Sequence, residues 1–314
     1  MSGSVGFLFP GQGSQAVGMG RKIWEADPSL RNLYDEASGI LGYDLASLCF
    51  EGPADQLNQT EYTQPALLVS SIVVLRLLEG SNVQPAAVAG HSLGEYSALV
   101  AAKGFSFPSA VGLVQKRAQY MAQAVPSGSG LVAAVLGLAH ERVQEVCVEA
   151  QSVGVVSAAN FNSPGQVVIA GEKAAVERAI ELLKERGCRR VIPLPVSVPV
   201  HTSLMQIAAD RLASDLQDVQ LDDLQVPLIN NADAQPLQKA GEIRASLVRQ
   251  LPSPVLWEQS MRRMWEMGIT TFIEVGPGVV LTGLAKRILP EAVTLNVQDS
   301  ASLESTLQRV NSPP

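Results

Sequence analysis

The stretch "GHSLGEYSAL", residues 90–99, follows the apolar run "AAVAG" with no polar spacer. Gly90-His91-Ser92-Leu93-Gly94 is the only G-x-S-x-G in the chain. The pattern predicts a short strand, a turn on the serine, and a helix on which Leu93, Tyr96, Leu99 and Val100 fall at helical spacing. In such a nucleophile elbow the glycines let the backbone turn sharply and the hydroxyl of Ser92 projects above the sheet edge. The serine also stands at a helix N-terminus, where free N–H groups and the positive dipole end stabilise an oxyanion. The chemistry this suits is nucleophilic acyl transfer. The same serine also reads as the N-cap of a tightly packed helix.

A serine nucleophile needs a base, and the chain has three histidines, His91, His140 and His201. His91 is inside the elbow, with its side chain expected to point away from Ser92. His140, in "LAHERVQE", is expected at a solvent-exposed position before a helix. His201, in "LPVSVPVHTSLM", follows two prolines and opens a helix where the chain returns to its larger part, which places it at a cleft. It is therefore the preferred partner of Ser92, although a lone histidine can equally be structural. No acid between 93 and 200 stands where a third triad member is needed, so a backbone carbonyl or amide is expected to orient His201. Taken alone, Arg117 in "AVGLVQKRAQYMAQA" reads as a solvated helix residue and Gln250 as an ordinary helix-end residue. The "PGQGSQ" turn does not match G-x-G-x-x-G, and no Gly-Lys-Ser/Thr follows it, so it carries no nucleotide signature.

These side chains need a large scaffold, and 314 residues with 46% hydrophobic content supply one. The 23 basic against 30 acidic residues, a net charge of −7, argue against a nucleic-acid ligand. Cys49, Cys147 and Cys188 are far apart with no C-x-x-C pair, which points to reduced packing thiols rather than a disulfide frame or zinc site. The N-terminus has no basic region before its apolar run, and the longest apolar stretch, "ALLVSSIVVL", is too short to span a bilayer. The expectation is a cytoplasmic protein with no membrane contact.

The pattern along the chain is α/β. It begins with the strand "VGFLF", the "PGQGSQ" turn, two amphipathic helices to about Leu48, a long buried helix from Thr63 and the elbow strand. From residue 126 the order becomes β-α-β-β-α-β over about seventy residues, the split βαβ, ferredoxin-like unit. Helices and strands then alternate through "VPLINN", "TTFIEVG" and a helix from Gly278. We therefore expect a large α/β-hydrolase-like domain with a mainly parallel sheet, residues 1–125 and 199–314, and a small inserted ferredoxin-like domain, residues 126–198.

Several motifs together, "FLFPGQGSQ", "TQPALL", "GHSLGEYSAL", "VQKRAQYM", "NFNSPGQVVIAG", "PVSVPVHTSLM", "VRQLPSPVLW" and "EVGPGVVLTGL", resemble the malonyl-CoA:acyl carrier protein transacylase family. They run in family order from residue 7 to 284. The resemblance implies that Ser92 is acylated and His201 is its base. It makes Gln12 and the N–H of Leu93 the oxyanion hole, and Arg117 the partner of the malonyl carboxylate. Gln250 would orient His201 through its carbonyl, and Asn160 would lie in the "NFNSPGQ" loop at the cleft. Val200, beside the histidine, stands at a position that varies within the family and could influence which acyl group fits.

The reaction that this resemblance implies is a ping-pong transfer of malonate from coenzyme A to the carrier's phosphopantetheine thiol, in fatty acid synthesis, with no cofactor or metal and with the chain as a monomer. The alternatives are a serine hydrolase or thioesterase, a trans-acting acyltransferase of polyketide synthesis, and a non-catalytic docking module. Carrier proteins of this kind are acidic, so the basic runs Lys184, Arg186, Arg189 and Arg190, and Lys286 with Arg287, are the candidate docking groups. Each could equally be a solvated charge at a helix C-terminus.

Overall fold

The computed structural model describes residues 4–196 and 198–311; the outer ends of the expected two-segment domain, 1–3 and 312–314, and Ser197 of "PVSVPVHTSLM" lie outside the described residues. The chain opens with β1 (Ser4–Phe9), then α1 (Arg21–Ala26), α2 (Arg31–Leu41), α3 (Leu45–Glu51), α4 (Ala54–Leu57) and α5 (Thr60–Glu79). β2 (Ala87–Gly90), α6 (Gly94–Ala101) and α7 (Phe107–Gln123) follow. The next stretch holds β3 (Gly130–Leu136), α8 (His140–Ala150), β4 (Val156–Ser163), β5 (Gln166–Glu172), α9 (Lys173–Glu185) and β6 (Arg190–Pro193). The chain continues through α10 (Gln206–Asp218), β7 (Leu228–Ile229), β8 (Pro236–Leu237), α11 (Ala240–Gln250) and α12 (Trp257–Glu266). It closes with β9 (Ile269–Val275), α13 (Val280–Ile288), β10 (Val293–Val297) and α14 (Ser300–Asn311).

Six strands form one sheet in the order β10-β9-β1-β2-β7-β8, parallel throughout except at β7–β8. Its central strands are apolar without alternation because both faces are covered. Phe7, Phe9, Val88, Ile273 and Val275 enter a core with Tyr34 of α2, Leu67 of α5, Leu99 of α6 and Leu113 of α7. Their neighbours Leu8, Ala89 and Phe272, turned to the opposite face by the pleat, pack with Trp257 and Met261 of α12 and Leu284 of α13. α5 is the buried helix expected from its composition, with Ala66 to Leu75 all buried, and it begins at Thr60 rather than Thr63. Among the described residues no helix is long and apolar enough to cross a membrane.

The other sheet has the order β4-β5-β3-β6, with every neighbouring pair antiparallel. Ala133, Val135, Val167 and Ile169 face α8 and α9 in a core of their own. Val132, Val168 and Ala170 turn to the opposite face, against Leu194 and Val196. The structure also carries elements that the sequence pattern does not announce. β10 extends the edge of the large sheet, α14 packs against β10, and the "VPLINN" strand shrinks to Leu228–Ile229, its end giving way to a turn. The turns after β1, β2, β7 and β9 all lie at the carboxyl ends of parallel strands, where α/β sheets place their ligands.

Candidate active site

Ser92 occupies the turn between β2 and α6 at φ 51°, in the left-handed region. Gly90 and Gly94 have no positive φ, so the sharp turn is taken by the serine itself, not by its flanking glycines. The glycines are needed for space. A Cβ on Gly90 would lie 1.9 Å from the Gly94 carbonyl carbon, and one on Gly94 would lie 2.0 Å from the Phe9 carbonyl oxygen. The elbow is clamped from outside by Asn231, after β7. Its Oδ1 accepts from the Ser92 N–H (2.6 Å), and its Nδ2 donates to the Gly90 carbonyl (2.7 Å).

The Ser92 Oγ lies 2.8 Å from His201 Nε2, and His201 is 2% exposed. His201 Nδ1 faces two acceptors, the carbonyls of Gln250 (3.0 Å) and Ser253 (3.1 Å). Two carbonyls at Nδ1 require its hydrogen there, leaving the Nε2 lone pair to accept from the serine hydroxyl. Burial, then the nearby Arg117 charge, press the imidazole pKa down to about 3, so the resting ring is neutral. The expected absence of a triad acid thus meets a pair of carbonyls from the end of α11 and the turn after it.

Arg117 is not solvated. It is wholly buried on α7, its Nη2 donating to Ser92 Oγ (3.1 Å) and to Gln250 Oε1 (2.9 Å) and its Nη1 to Gln64 Oε1 (2.5 Å). Its Cζ stands 5.3 Å from the centre of the Tyr96 ring. Burial lowers its pKa while Tyr96 and Glu95 oppose the shift. Among the described residues it forms no ion pair, and a buried cation without one is a place for an incoming anion.

Gln250 joins these groups. Its Nε2 donates to the Ser92 carbonyl (3.0 Å) and to Glu95 Oε2 (2.6 Å). Glu95 is fully buried and also accepts the Asn231 N–H (3.2 Å); burial pushes its pKa up to about 7. Gln64, Glu95 and Asn231 escape the sequence reading. The one available signal was Ser92-x-x-Glu95, a capping-box spacing, but the glutamate turns away from the Ser92 N–H toward residues 231 and 250.

The remaining candidates are distributed around this centre. Gln12 follows β1, its amide 3.4 Å from Thr60 Oγ1, and the adjoining Gly11 packs so tightly on the elbow that a Cβ there would lie 2.2 Å from the His91 carbonyl oxygen. Leu93 is buried at the start of α6. Asn160 is in no loop: it is a buried residue within β4, where a bridge to Val255 ties that strand to the segment before α12. Val200 is half-buried against the larger core. His91 points away from Ser92, its Nε2 2.8 Å from Asn162 Oδ1. His140 is not solvent-exposed as expected; its Nε2 meets the Ser163 carbonyl (3.0 Å), with Glu258 at 3.6 Å, because α8 packs its start under the β4–β5 turn.

Of the basic groups, Lys184, Arg189, Arg190 and Lys286 are exposed. Arg186 is tied to Glu149 and Glu145 on α8, and Arg287 donates to Gln166 Oε1 (2.6 Å). The three cysteines are free and buried. Among the described residues no cluster of three or more His, Cys, Asp or Glu could hold a metal ion.

The family model described as acyl transferase domain matches residues 6–309. The malonyl CoA-acyl carrier protein transacylase of Haemophilus influenzae is 47% identical over 300 residues, covering 95% of this chain and 96% of its own length. The transacylase of the same name from Escherichia coli is 46% identical over 303 residues, 96% of this chain and 98% of its own. The crystal structure of malonyl-CoA:acyl carrier protein transacylase from Xanthomonas oryzae superposes with a TM-score of 0.95 at 45% identity, covering 98% of both chains. A malonyl-transacylase solved in complex with a type II polyketide synthase acyl-carrier protein gives 0.95 and 45%, covering 98% of this chain and 99% of that one.

Proposed function

The chain belongs to the malonyl CoA-acyl carrier protein transacylases of the acyl transferase family, and on that premise we propose that it carries malonate from coenzyme A to the phosphopantetheine thiol of an acyl carrier protein through an ester on Ser92, in the cytoplasmic synthesis of fatty acids. The observation that carries the malonyl assignment is Arg117, a buried guanidinium beside the nucleophile with no ion pair among the described residues. A guanidinium fork binds a carboxylate through two parallel hydrogen bonds, and the free carboxylate of malonate supplies that partner.

Ser92 Oγ gives its proton to His201 Nε2 and attacks the thioester carbonyl. The resulting oxyanion is held by the Leu93 N–H and Gln12. As the carbon–sulfur bond breaks, His201 returns the proton to the departing thiolate. The carrier's thiol then reverses the sequence, losing its proton to His201, attacking the ester and releasing Ser92. The incoming carboxylate has a second effect: by neutralising Arg117 it removes a charge that depresses the basicity of His201. The base is thus strengthened by the substrate that needs it.

Val200, next to the base, shapes the acyl pocket in this reading. Residues 126–198 act as a small domain inserted between 1–125 and 199–314, a division supported by their separate core clusters. With Arg186 held by acids, Lys184, Arg189, Arg190 and Lys286 are the cations left to meet an acidic carrier, and Arg287 contributes from beside Gln166. A carrier from polyketide synthesis is the second reading, favoured by the complex of the similar transacylase with such a protein. Mass spectrometry of the intact protein after mixing with malonyl-CoA tests the assignment. The wild type should gain one malonyl group and pass it to a fatty-acid carrier, and Ser92→Ala should gain none. An equal adduct on the variant, or rapid release of free malonate without an acceptor, would overturn it.

A further inference from the structure

The Gln250 side chain faces three polar groups, the Glu95 carboxylate, the Ser92 carbonyl and the Arg117 guanidinium, and the buried carboxylate is its shortest contact. The two ends of an amide are nearly equal in size and differ only in what they donate and accept. Glu95 Oε2 already accepts the Asn231 N–H (3.2 Å) and takes Gln250 Nε2 at 2.6 Å. The second oxygen of Glu95, Oε1, is buried with no partner. A proton resting on Oε1 leaves Oε2 an acceptor, so the carboxyl group demands the donor end of the amide whether charged or neutral. With the Ser92 carbonyl taking the same donor end, the acceptor end is turned to Arg117 Nη2, 2.9 Å away. Both side chains are closed to water, Gln250 at 1% and Glu95 at 0% exposure, so no solvent molecule can stand in for either partner.

We propose that Glu95 is a positioning residue for acyl selection: by anchoring the donor end of the Gln250 amide it holds the acceptor end against the Arg117 guanidinium and so aims that guanidinium at the substrate carboxylate, an inference that rests on the assignment of Arg117 above. Glu95 touches neither substrate nor reacting atom. Its influence travels through one amide, whose Nε2 also braces the Ser92 carbonyl at 3.0 Å. In Glu95→Gln a second amide replaces the carboxylate. The Asn231 N–H still requires an oxygen at the Oε2 position, so Gln250 Nε2 keeps its acceptor there; Glu95→Leu removes that acceptor and leaves the amide braced by the Ser92 carbonyl alone.

The experiment compares Ser92 acylation by malonyl-CoA and by acetyl-CoA, which use the same serine and base but differ in the carboxylate. Losing the alignment of one hydrogen bond to a charged group costs on the order of tenfold in rate. Glu95→Leu is therefore expected to lower the malonyl-to-acetyl ratio of kcat/KM by about tenfold or more, mainly through KM for malonyl-CoA. Glu95→Gln, which keeps an oxygen at the Oε2 position, should recover most of the ratio. A residue with a merely structural role would lower both rates together. An unchanged ratio in Glu95→Leu, or in Glu95→Asp, whose acceptor is one methylene short, where the leucine variant does not fold, overturns the inference, as does a loss in Glu95→Gln as large as that in Glu95→Leu. A wild type that gains no malonyl group on Ser92 would instead overturn the functional assignment on which it rests.

Discussion

Ser92 and His201, whose side chains meet at 2.8 Å across 109 residues of sequence, both hold their backbones in the left-handed region, at φ 51° and 58°. Left-handed geometry costs a residue with a Cβ about 1–2 kcal/mol, and such strain gathers where a side chain must be aimed. Both partners of the dyad are held this way.

The strain at Ser92 can be measured. Ser92→Ala and Ser92→Gly both remove the nucleophile, but only glycine relaxes the turn, since Ala keeps a Cβ at φ 51°. The glycine variant is expected to be more stable than the alanine variant by about 0.5–1 kcal/mol, after allowing for the greater freedom of its unfolded chain. Thermal unfolding of the two proteins checks this. Equal or lower stability for glycine would mean that the turn carries no strain.

Arg117→Ala separates charge recognition from catalysis. Malonyl transfer should fall by about 10²-fold or more, since losing the partner of a buried charge is worth about 3–5 kcal/mol. Acetyl transfer has no carboxylate to lose, and His201 is freed from a charge that lowers its basicity, so the acetyl rate should hold or rise. Kinetics with the two thioesters decide the point; a parallel fall in both would make Arg117 structural.

Two buried groups pull stability in opposite directions with pH. His201 is lowered from 6.5 to about 3 by burial first and Arg117 second, so its contribution is complete above 6.5 and is lost as pH falls toward 3. Glu95 is raised from 4.5 to about 7 by burial, with Gln250, Asn231 and Arg117 opposing the shift and Asp233 adding to it. Its contribution is complete below 4.5 and is lost as pH rises through 7. The melting temperature of the wild type, measured relative to Glu95→Gln, should therefore decline from pH 6 to pH 8. A difference that stays constant over that range would place the Glu95 pKa elsewhere.

Carrier docking can be located by charge. Reversing Arg189 and Arg190 together should raise KM for the carrier and flatten its salt dependence, because exposed charges act over about one Debye length. Reversing Arg186 should act on stability instead, by setting a negative charge against Glu149. Steady-state kinetics across a salt series distinguish these outcomes. An unaltered carrier dependence in the double reversal would move docking to Lys286 and Arg287.

Much of this site could be read in the sequence because its signals are local. The elbow motif, the strand before it and the helix after it occupy adjacent residues, and the alternation of elements marks out both sheets. Glu95 lay within the motif but its purpose did not, because residues 231 and 250 reach it only through the order of strands in the folded sheet. Arg117 looked solvated because a lone arginine on an amphipathic helix carries no mark of what α5 and α11 will lay over it. The resemblance put Asn160 in a loop, and pairing with β5 makes it part of β4 instead. β10 and α14 went unseen because their partly exposed residues give only a shallow apolar pattern.

The position of β1 in the sheet bears on how the molecule comes into being. β1 is made before every other strand of its sheet, yet it lies between β2 and β9, and β9 begins only at Ile269. During synthesis one edge of the earliest strand has to wait for a segment from the last sixth of the chain, and pairing over so long a separation is slow. The waiting edge is the sequence Val5 to Phe9, apolar and able to pair with any other strand in the meantime. Gln250 emerges shortly before β9, so the nascent chain holds no finished acylation centre while most of it is being made. Truncation of the carboxyl end would therefore remove more than an edge, leaving a chain that exposes its own first strand.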